Sequence, residues 1–255
     1  MDIYQRLAPY YDDYFPQSRQ ATSFLIGLTS EEPWKGREGD SRDKPAVIDF
    51  GCATGSQLLD LAEAGWSAIG CEPCAAMLEI ARRKALARGA SVDFEAREML
   101  EAAARIQRGS VDLALCLGNT LPHLRGEDEL ERFIAEVAAL LAPGGYLVLQ
   151  LLNYKRILAS LAGGEYRFPI LRSGESSFER SYAIAPDGKP VFRVELVESG
   201  RRFVETGRLS FFSREAIVSR LTASGFERIA SCSGWDGAPF DASSDSHLIL
   251  AARQP

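Results

Sequence analysis

The chain reads as an α/β protein built on a largely parallel sheet, with a small antiparallel β insertion and a helical cap at its start. Three features predict that class. A strand, Ala46–Phe50, runs through a turn bracketed by Gly51 and Gly55 into a helix that begins at Ser56. Strand and helix signals then alternate as far as Leu152, the pattern of a parallel sheet covered on both faces. Between about Lys155 and Phe212 the strand signals come without helices, which marks the insertion.

Residues 1–29 open with Tyr4, Tyr10, Tyr11, Tyr14 and Phe15, an aromatic group split by Pro9, which a helix interior tolerates poorly. Ala21–Ile26 has helical spacing. This segment is expected to cap the domain and to set aromatic rings over a site. Residues 30–45 are charged, carry glycine and proline, and read as a mobile connector. Ser67–Cys71 is the second strand. Met77, Ile80 and Ala81 give a stripe on a helix from Cys74 to about Arg88, closed by Gly89. Val92–Glu95 and Val111–Cys116 are the third and fourth strands. Leu130, Phe133, Ile134, Val137 and Leu141 keep a helical period that Pro143-Gly144-Gly145 is expected to stop before a fifth strand, Tyr146–Leu152. In the insertion, Phe178–Ile184, Val191–Val197 and Phe203–Phe211 read as strands joined by hairpin turns at Asp187-Gly188 and Ser199-Gly200. Ser213 caps a last helix ending at Gly225, and Phe226–Cys232 and His247–Ala252 are the final strands. The expected division is 1–45 cap and connector, 46–154 core, 155–212 insertion and 213–255 the rest of the core.

At 255 residues the chain can bury a full core, and 46% hydrophobic with 25% charged residues is an ordinary globular composition. A formal charge of -6 disfavours a nucleic-acid footprint. No apolar run approaches the ~18 residues of a membrane span, and the N-terminus lacks a signal-peptide pattern. No nucleic-acid or membrane partner is therefore expected, and the expected location is cytoplasmic. Cys52, Cys71, Cys74, Cys116 and Cys232 are an odd set that suits reduced, buried thiols. Cys71 and Cys74 have C-x-x-C spacing, but there is no second cysteine pair, so no metal is expected.

The first turn narrows the ligand. A dinucleotide fold needs G-x-G-x-x-G and a P-loop needs G-x-x-x-x-G-K-[ST]; neither is present. A nicotinamide-dependent oxidoreductase is disfavoured on that ground. Here the glycines are four apart, Asp49 precedes the first, and Glu72 follows it by about twenty residues at the end of the next strand, the spacing that a β-α-β unit imposes.

This D-x-G-x-x-x-G turn, with Gly70-Cys71-Glu72-Pro73 after it, resembles the S-adenosylmethionine site of class I methyltransferases. Other phrases are similar to the glycine/sarcosine N-methyltransferase-like members of that family. They are Leu115-Cys116-Leu117-Gly118-Asn119-Thr120-Leu121-Pro122-His123-Leu124, Asn153-Tyr154, Leu7-Ala8-Pro9-Tyr10-Tyr11-Asp12 and Ala223-Ser224-Gly225-Phe226. The resemblance covers nearly the whole chain. It departs from the family at Ala53, where glycine is usual, and at Glu98, where aspartate is frequent. It implies a Rossmann-like seven-stranded sheet in the order 3-2-1-4-5-7-6, with only the last strand antiparallel.

It also implies S-adenosyl-L-methionine as cofactor and S-adenosyl-L-homocysteine as product. Asp49, the backbone around Gly51, Cys52, Ala53 and Gly55, and Leu117 with Gly118 would face the methionine end. Glu72, beside Pro73, would take the ribose diol, and Glu98 with Met99 would read the adenine edge. The methyl acceptor is expected to be a small molecule, with N-methylation of an amine or amino acid as the leading reading. A hydroxyl acceptor and a non-catalytic regulator that only binds the cofactor remain open. Asn119, His123 and Tyr11 are the candidate catalytic residues, with His123 as a possible base for a hydroxyl. Tyr10, Tyr14, Asn153, Tyr154 and Arg180 are candidate acceptor contacts. Arg167, Arg172, Arg180 and Arg193 are the insertion arginines available to an acceptor carboxylate, most of them expected on the wet face of alternating strands. The acceptor and the oligomeric state are not legible in the sequence.

Overall fold

A computed structural model describes residues 3–30, 42–161 and 164–255. The chain opens with α1 (Ile3–Leu7), a 3-10 turn at Ala8–Tyr10, α2 (Tyr11–Tyr14) and α3 (Arg19–Ser30). Pro9 sits in the 3-10 turn, where its missing N–H removes no helical bond. The core then alternates: β1 (Ala46–Phe50), α4 (Ser56–Glu63), β2 (Ser67–Cys71), α5 (Ala75–Arg88), β3 (Val92–Glu95), α6 (Met99–Ala103), β4 (Val111–Cys116), α7 (Glu127–Leu140) and β5 (Leu141–Leu152). After β5 come α8 (Tyr154–Ser160), β6 (Glu165–Arg167), β7 (Leu171–Ser173), β8 (Ser176–Ile184), β9 (Pro190–Glu198) and β10 (Arg201–Gly207). The chain closes with α9 (Arg214–Ala223), β11 (Glu227–Cys232) and β12 (His247–Arg253).

Among the described residues the core sheet has seven strands in the order β11-β12-β5-β4-β1-β2-β3. Counted without the insertion, that is the expected 3-2-1-4-5-7-6. The β1, β2, β3, β4 and β5 pairings are parallel, whereas β12 runs antiparallel to both β5 and β11. The central strands are apolar almost without interruption because both faces are covered. One face packs Leu25 of α3 and Leu58, Leu61 and Leu78 of α4 and α5 against Val47, Leu113, Leu115 and Val148. The other packs Phe133, Ile134 and Val137 of α7 and Ile217 and Leu221 of α9 against Ile48, Phe50, Leu147 and Leu149.

Two expectations change at β5. The strand starts at Leu141, directly after α7, so Pro143-Gly144-Gly145 lies inside it rather than before it. The register against β4 slips there, from Val111↔Leu141 to Leu113↔Tyr146, and the loop-like residues form a bulge. Gly145 has to be glycine: a Cβ would lie 2.9 Å from the Ala142 carbonyl oxygen. The insertion is also richer than expected. Asn153 is an N-cap whose side chain accepts the Arg156 N–H at 3.3 Å, which starts the helix α8 where only a polar strand end was read.

The insertion sheet runs β10-β9-β8-β6, with β7 also on β8. Ser199 and Gly200 both have positive φ in the β9–β10 turn, as a two-residue hairpin requires. The strand expected to reach Phe211 ends at Gly207. Ser210 is drawn off by two bonds, its N–H to the Pro122 carbonyl at 2.8 Å and its hydroxyl to the Leu124 carbonyl at 2.6 Å. The cap packs on the insertion as a third apolar cluster: Ile3, Leu7 and Tyr14 meet Phe178, Tyr182, Phe192 and Leu196. The Ile3 N–H also donates to Glu205 at 2.9 Å. Of the connector expected to be mobile, residues 31–41 lie outside the described residues.

Candidate active site

The site begins where β1 ends. Gly51 (φ +78°), Ala53 (φ +48°) and Gly55 (φ +75°) turn the chain sharply into α4. A Cβ at Gly51 would collide with the Thr120 side chain from the β4 loop, so the turn and that loop touch only because position 51 is glycine. The N–H groups of Gly51 and Cys52 donate to the Cys71 carbonyl at 2.8 and 3.0 Å and tie the turn to the end of β2. Glu72, the next residue, accepts the Ala53 N–H at 3.2 Å and the Cys74 N–H at 2.9 Å. Its carboxylate is thereby held at the C-terminal edge of the sheet.

A cavity of about 640 Å³ opens over this edge. Its floor is Asp49, Gly51, Cys52, Ala53, Glu72, Pro73, Glu98, Met99, Leu117 and Gly118, all from strand ends and the turns that follow. Its roof comes from the cap, through Tyr4, Tyr11, Tyr14 and Phe15, and from the insertion, through Phe168, Phe178, Arg180, Tyr182 and Phe192. Open parallel sheets present ligands at this edge.

The two ends of the cavity differ in charge. At the floor, Asp49 is buried and its Oδ1 finds no hydrogen-bond partner among the described residues. Burial, and then the charge of Glu72, push its carboxyl up to about 7. Burial also raises Glu72, though the Cys74 and Ala53 N–H groups pull it back. His123 is lowered by burial, which keeps the imidazole neutral near pH ~7. Tyr4 and Tyr11 are held protonated by burial, with nearby anionic groups adding to it, so both act as hydrogen-bond donors. The Tyr4 hydroxyl lies 3.5 Å from His123 Nε2.

Residues 47–145 match the family model of a methyltransferase domain. The sheet order and the turn geometry agree with it. Residues 47–145 are therefore similar to a methyltransferase domain, and the fold around them is that of S-adenosylmethionine-dependent methyltransferases. It is 31% identical over 148 residues to a ubiquinone biosynthesis O-methyltransferase of Bordetella pertussis, an alignment that covers 57% of this chain and 59% of that protein. The chain thus spans less than two thirds of that relative. A glycine/sarcosine N-methyltransferase of Halorhodospira halochloris is 25% identical over 224 residues, 86% of this chain and 79% of the relative. The structure of an S-adenosylmethionine-dependent methyltransferase from Clostridium acetobutylicum superposes with a TM-score of 0.78 at 16% identity, covering 98% of each chain, which shows a shared fold.

S-adenosylmethionine, the donor that methyltransferases of this fold use, is a cation with an ammonium group and a ribose, and the residues present fit it. An orphaned, buried Asp49 oxygen needs a cationic or hydrogen-bonding partner. The glycine at 51 leaves backbone open to close approach, and Glu72 is a carboxylate fixed at the next strand end. Ala53 keeps the left-handed backbone despite replacing the family's usual glycine.

Most of the candidate residues share the cavity, but four do not line it. Gly55 lies beneath the turn, where a Cβ would press on Phe94 and Ala81. Tyr10 packs instead against the cap cluster, its ring 6.1 Å from that of Tyr14. Asn153 is not an acceptor contact: its Nδ2 donates to the carbonyls of Ala242 and Asp245 at 2.9 and 2.8 Å, and its Oδ1 caps α8. Tyr154 is buried behind the wall, stacked on Phe211 at 4.1 Å, and its hydroxyl is given to Asn119. Asn119 and His123 do line the cavity, as do Tyr11, Tyr14 and Arg180.

The structure adds Tyr4, Phe168, Tyr182 and His247 to the walls. Tyr182 had a legible signal, since Phe178, Arg180 and Tyr182 alternate along one strand face. His247 had none, because only the pairing of β12 with β5 at His247↔Leu152 brings it to the site.

Proposed function

We propose that this methyltransferase transfers a methyl group to a small molecule held between the donor floor and the aromatic roof, with an amine, as in an amino acid, as the acceptor. The observation that carries the reading is the unpartnered Asp49 Oδ1 beside Glu72 at the floor of an aromatic-roofed cavity. In this reading Asp49 and the backbone from Gly51 to Ala53 hold the methionine end of the donor, Glu72 the ribose, and Glu98 with Met99 the adenine. The donor supplies an electrophilic methyl on a sulfonium for in-line displacement. The protein then contributes alignment and exclusion of water. The rings of Tyr4 and Tyr11 are suited to surround a positive centre. The segment 1–18 serves as a lid and residues 155–212 as the acceptor-binding unit.

His123, kept neutral by burial, is available to accept a proton from an acceptor nitrogen or hydroxyl, with the Tyr4 hydroxyl at its Nε2. The same arrangement would serve an O-methyltransferase. Asn119 has a positioning role, because its Oδ1 is occupied by the Leu152 N–H at 3.1 Å and by Tyr154.

Incubation with S-adenosylmethionine labelled in the methyl group, against a panel of amines, amino acids and hydroxylated metabolites, tests this. Label should appear in an amine. Donor binding without transfer to any class would favour a regulator, and label only in hydroxylated compounds would make it an O-methyltransferase.

A further inference from the structure

Arg180 lies on the inward face of β8 between Phe178 and Tyr182, opposite Val194 of β9. That face is otherwise apolar or aromatic, with Leu196 and Phe192 as the partners of Phe178 and Tyr182. The guanidinium stacks between two rings, 5.1 Å from the centre of Phe15 and 4.7 Å from that of Phe168. Among the described residues no carboxylate pairs with it, and its Nε is buried without an acceptor. The other insertion arginines behave differently. Arg167 and Arg193 pair with Glu165 and Glu195 at 2.7 and 2.6 Å, and Arg172 is exposed.

A half-buried cation set between rings, with its Nε shut off from water and no counter-charge, is costly unless something supplies one. Of the acidic groups that line the cavity, Asp49, Glu72 and Glu98 belong to the floor and Asp12 is paired with Lys84. Burial lowers Arg180 below the ordinary guanidinium value, in keeping with an uncompensated charge. His247, an exposed residue of β12 that also lines the cavity, is lowered by partial desolvation and by the charge of Arg180, and its Nδ1 contacts the Ser246 hydroxyl at 2.9 Å. It can offer a hydrogen bond but not a competing charge.

We infer that Arg180 anchors a compact oxyanion, a carboxylate or a phosphate, on the methyl acceptor, with His247 beside it. The planar fork of the guanidinium matches either group through two parallel bonds, and the flanking rings fix its plane. An acceptor held in this way turns its nucleophile toward the donor floor. This rests on the methyl-transfer reading and names the class of its substrate as anionic.

The test is calorimetric titration of the protein saturated with S-adenosylhomocysteine. The probes are acetate, benzoate and phenyl phosphate, each against its neutral analogue acetamide, benzamide or benzyl alcohol. At least one anion should bind about tenfold or more tightly than its analogue. The pair that shows the preference tells a carboxylate from a phosphate. Arg180→Met should erase the preference, and Arg180→Lys should keep only part of it. Affinity for S-adenosylhomocysteine should stay within about twofold in both variants, since the ribose and methionine ends lie elsewhere. The melting temperature of Arg180→Met should hold or rise, because an unpaired, half-buried charge is removed. Equal binding of every anion and its analogue, a preference that survives in Arg180→Met, or a marked fall in its melting temperature would each overturn the inference. Failure of S-adenosylhomocysteine to bind the wild type would instead count against the donor site, and the anion preference measured without it would still report on Arg180.

Discussion

The Tyr154 hydroxyl donates to Asn119 Oδ1 at 2.9 Å, joining the start of α8 to the loop that follows β4. Asn119 has a positive φ of 68°, next to Gly118 at 62°, so this loop is held in a left-handed double turn. The same oxygen takes the Leu152 N–H, and the Asn119 N–H donates to the Gln150 carbonyl at 3.0 Å. The loop is thereby fixed by two bonds to β5 and one to α8. Tyr154→Phe should cost about 1 kcal/mol of stability and slow transfer, while donor affinity stays within about twofold. Denaturant unfolding and calorimetry check this; an unchanged rate would show that Asn119 holds its place without Tyr154.

Asp49 gives the ligand-free protein a definite pH dependence. Its carboxyl is raised from 3.8 in an unperturbed group to about 7 in the fold. The folded state therefore holds a proton that the unfolded state has already released, so stability is highest below about pH 4 on this account and falls as pH rises towards 7. Glu72 is raised too and acts in the same sense. Asp49→Asn should flatten that slope, raise the melting temperature of the ligand-free protein near pH ~8, and weaken donor binding. Donor affinity of the wild type should in turn rise with pH through ~7, as Asp49 ionises. Melting curves and titrations across pH decide it; a melting temperature lowered by the amide would mean that Asp49 has an unseen structural partner.

Ala53 holds a left-handed backbone, which for an L-residue costs roughly 1–2 kcal/mol. Ala53→Gly should raise stability by about 1 kcal/mol and leave the Ala53 N–H bond to Glu72 in place. Chemical denaturation would show it. A loss of stability would indicate that the methyl group packs usefully against the cap cluster.

The cap is latched to the donor turn by Asp12. Its carboxylate accepts from Lys84 Nζ at 2.6 Å and from the hydroxyls of Ser56, at 3.0 Å, and Thr54. Burial alone would raise the Asp12 carboxyl, but these hydrogen bonds outweigh it and hold the group below its ordinary value. The latch is therefore complete above ~4 and weakens as pH falls through the folded value. Lys84→Met should speed proteolysis within residues 1–18 and slow transfer, with donor affinity changed less than about threefold. Unchanged cleavage would mean that the apolar contacts of Leu7 and Tyr14 suffice to seat the cap.

Much of this architecture is legible in the residues alone. The first four core strands have the expected ends, and the glycine spacing with Asp49 and Glu72 points to the donor floor. These are local signals: the apolar period of a strand and the special backbone of a turn are properties of a few adjacent residues. The errors lie where a residue's setting depends on distant chain. Pro143-Gly144-Gly145 looks like a turn, yet sheet pairing on both sides pulls it into β5 as a bulge. Asn153 and Tyr154 look like acceptor contacts, yet the loop at 242–245 and Asn119 claim their polar atoms. Arg180 is one of four similar arginines in the sequence. Only the register of β8 against β9, and the seating of the cap above it, leave that guanidinium at the cavity with rings on either side and no paired carboxylate among the described residues. Sequence determined the fold and the turn that carries Asp49 and Glu72 because both follow from short-range backbone requirements; tertiary packing decided the roof of the cavity, because the setting of Arg180 between rings is a property of the assembled walls.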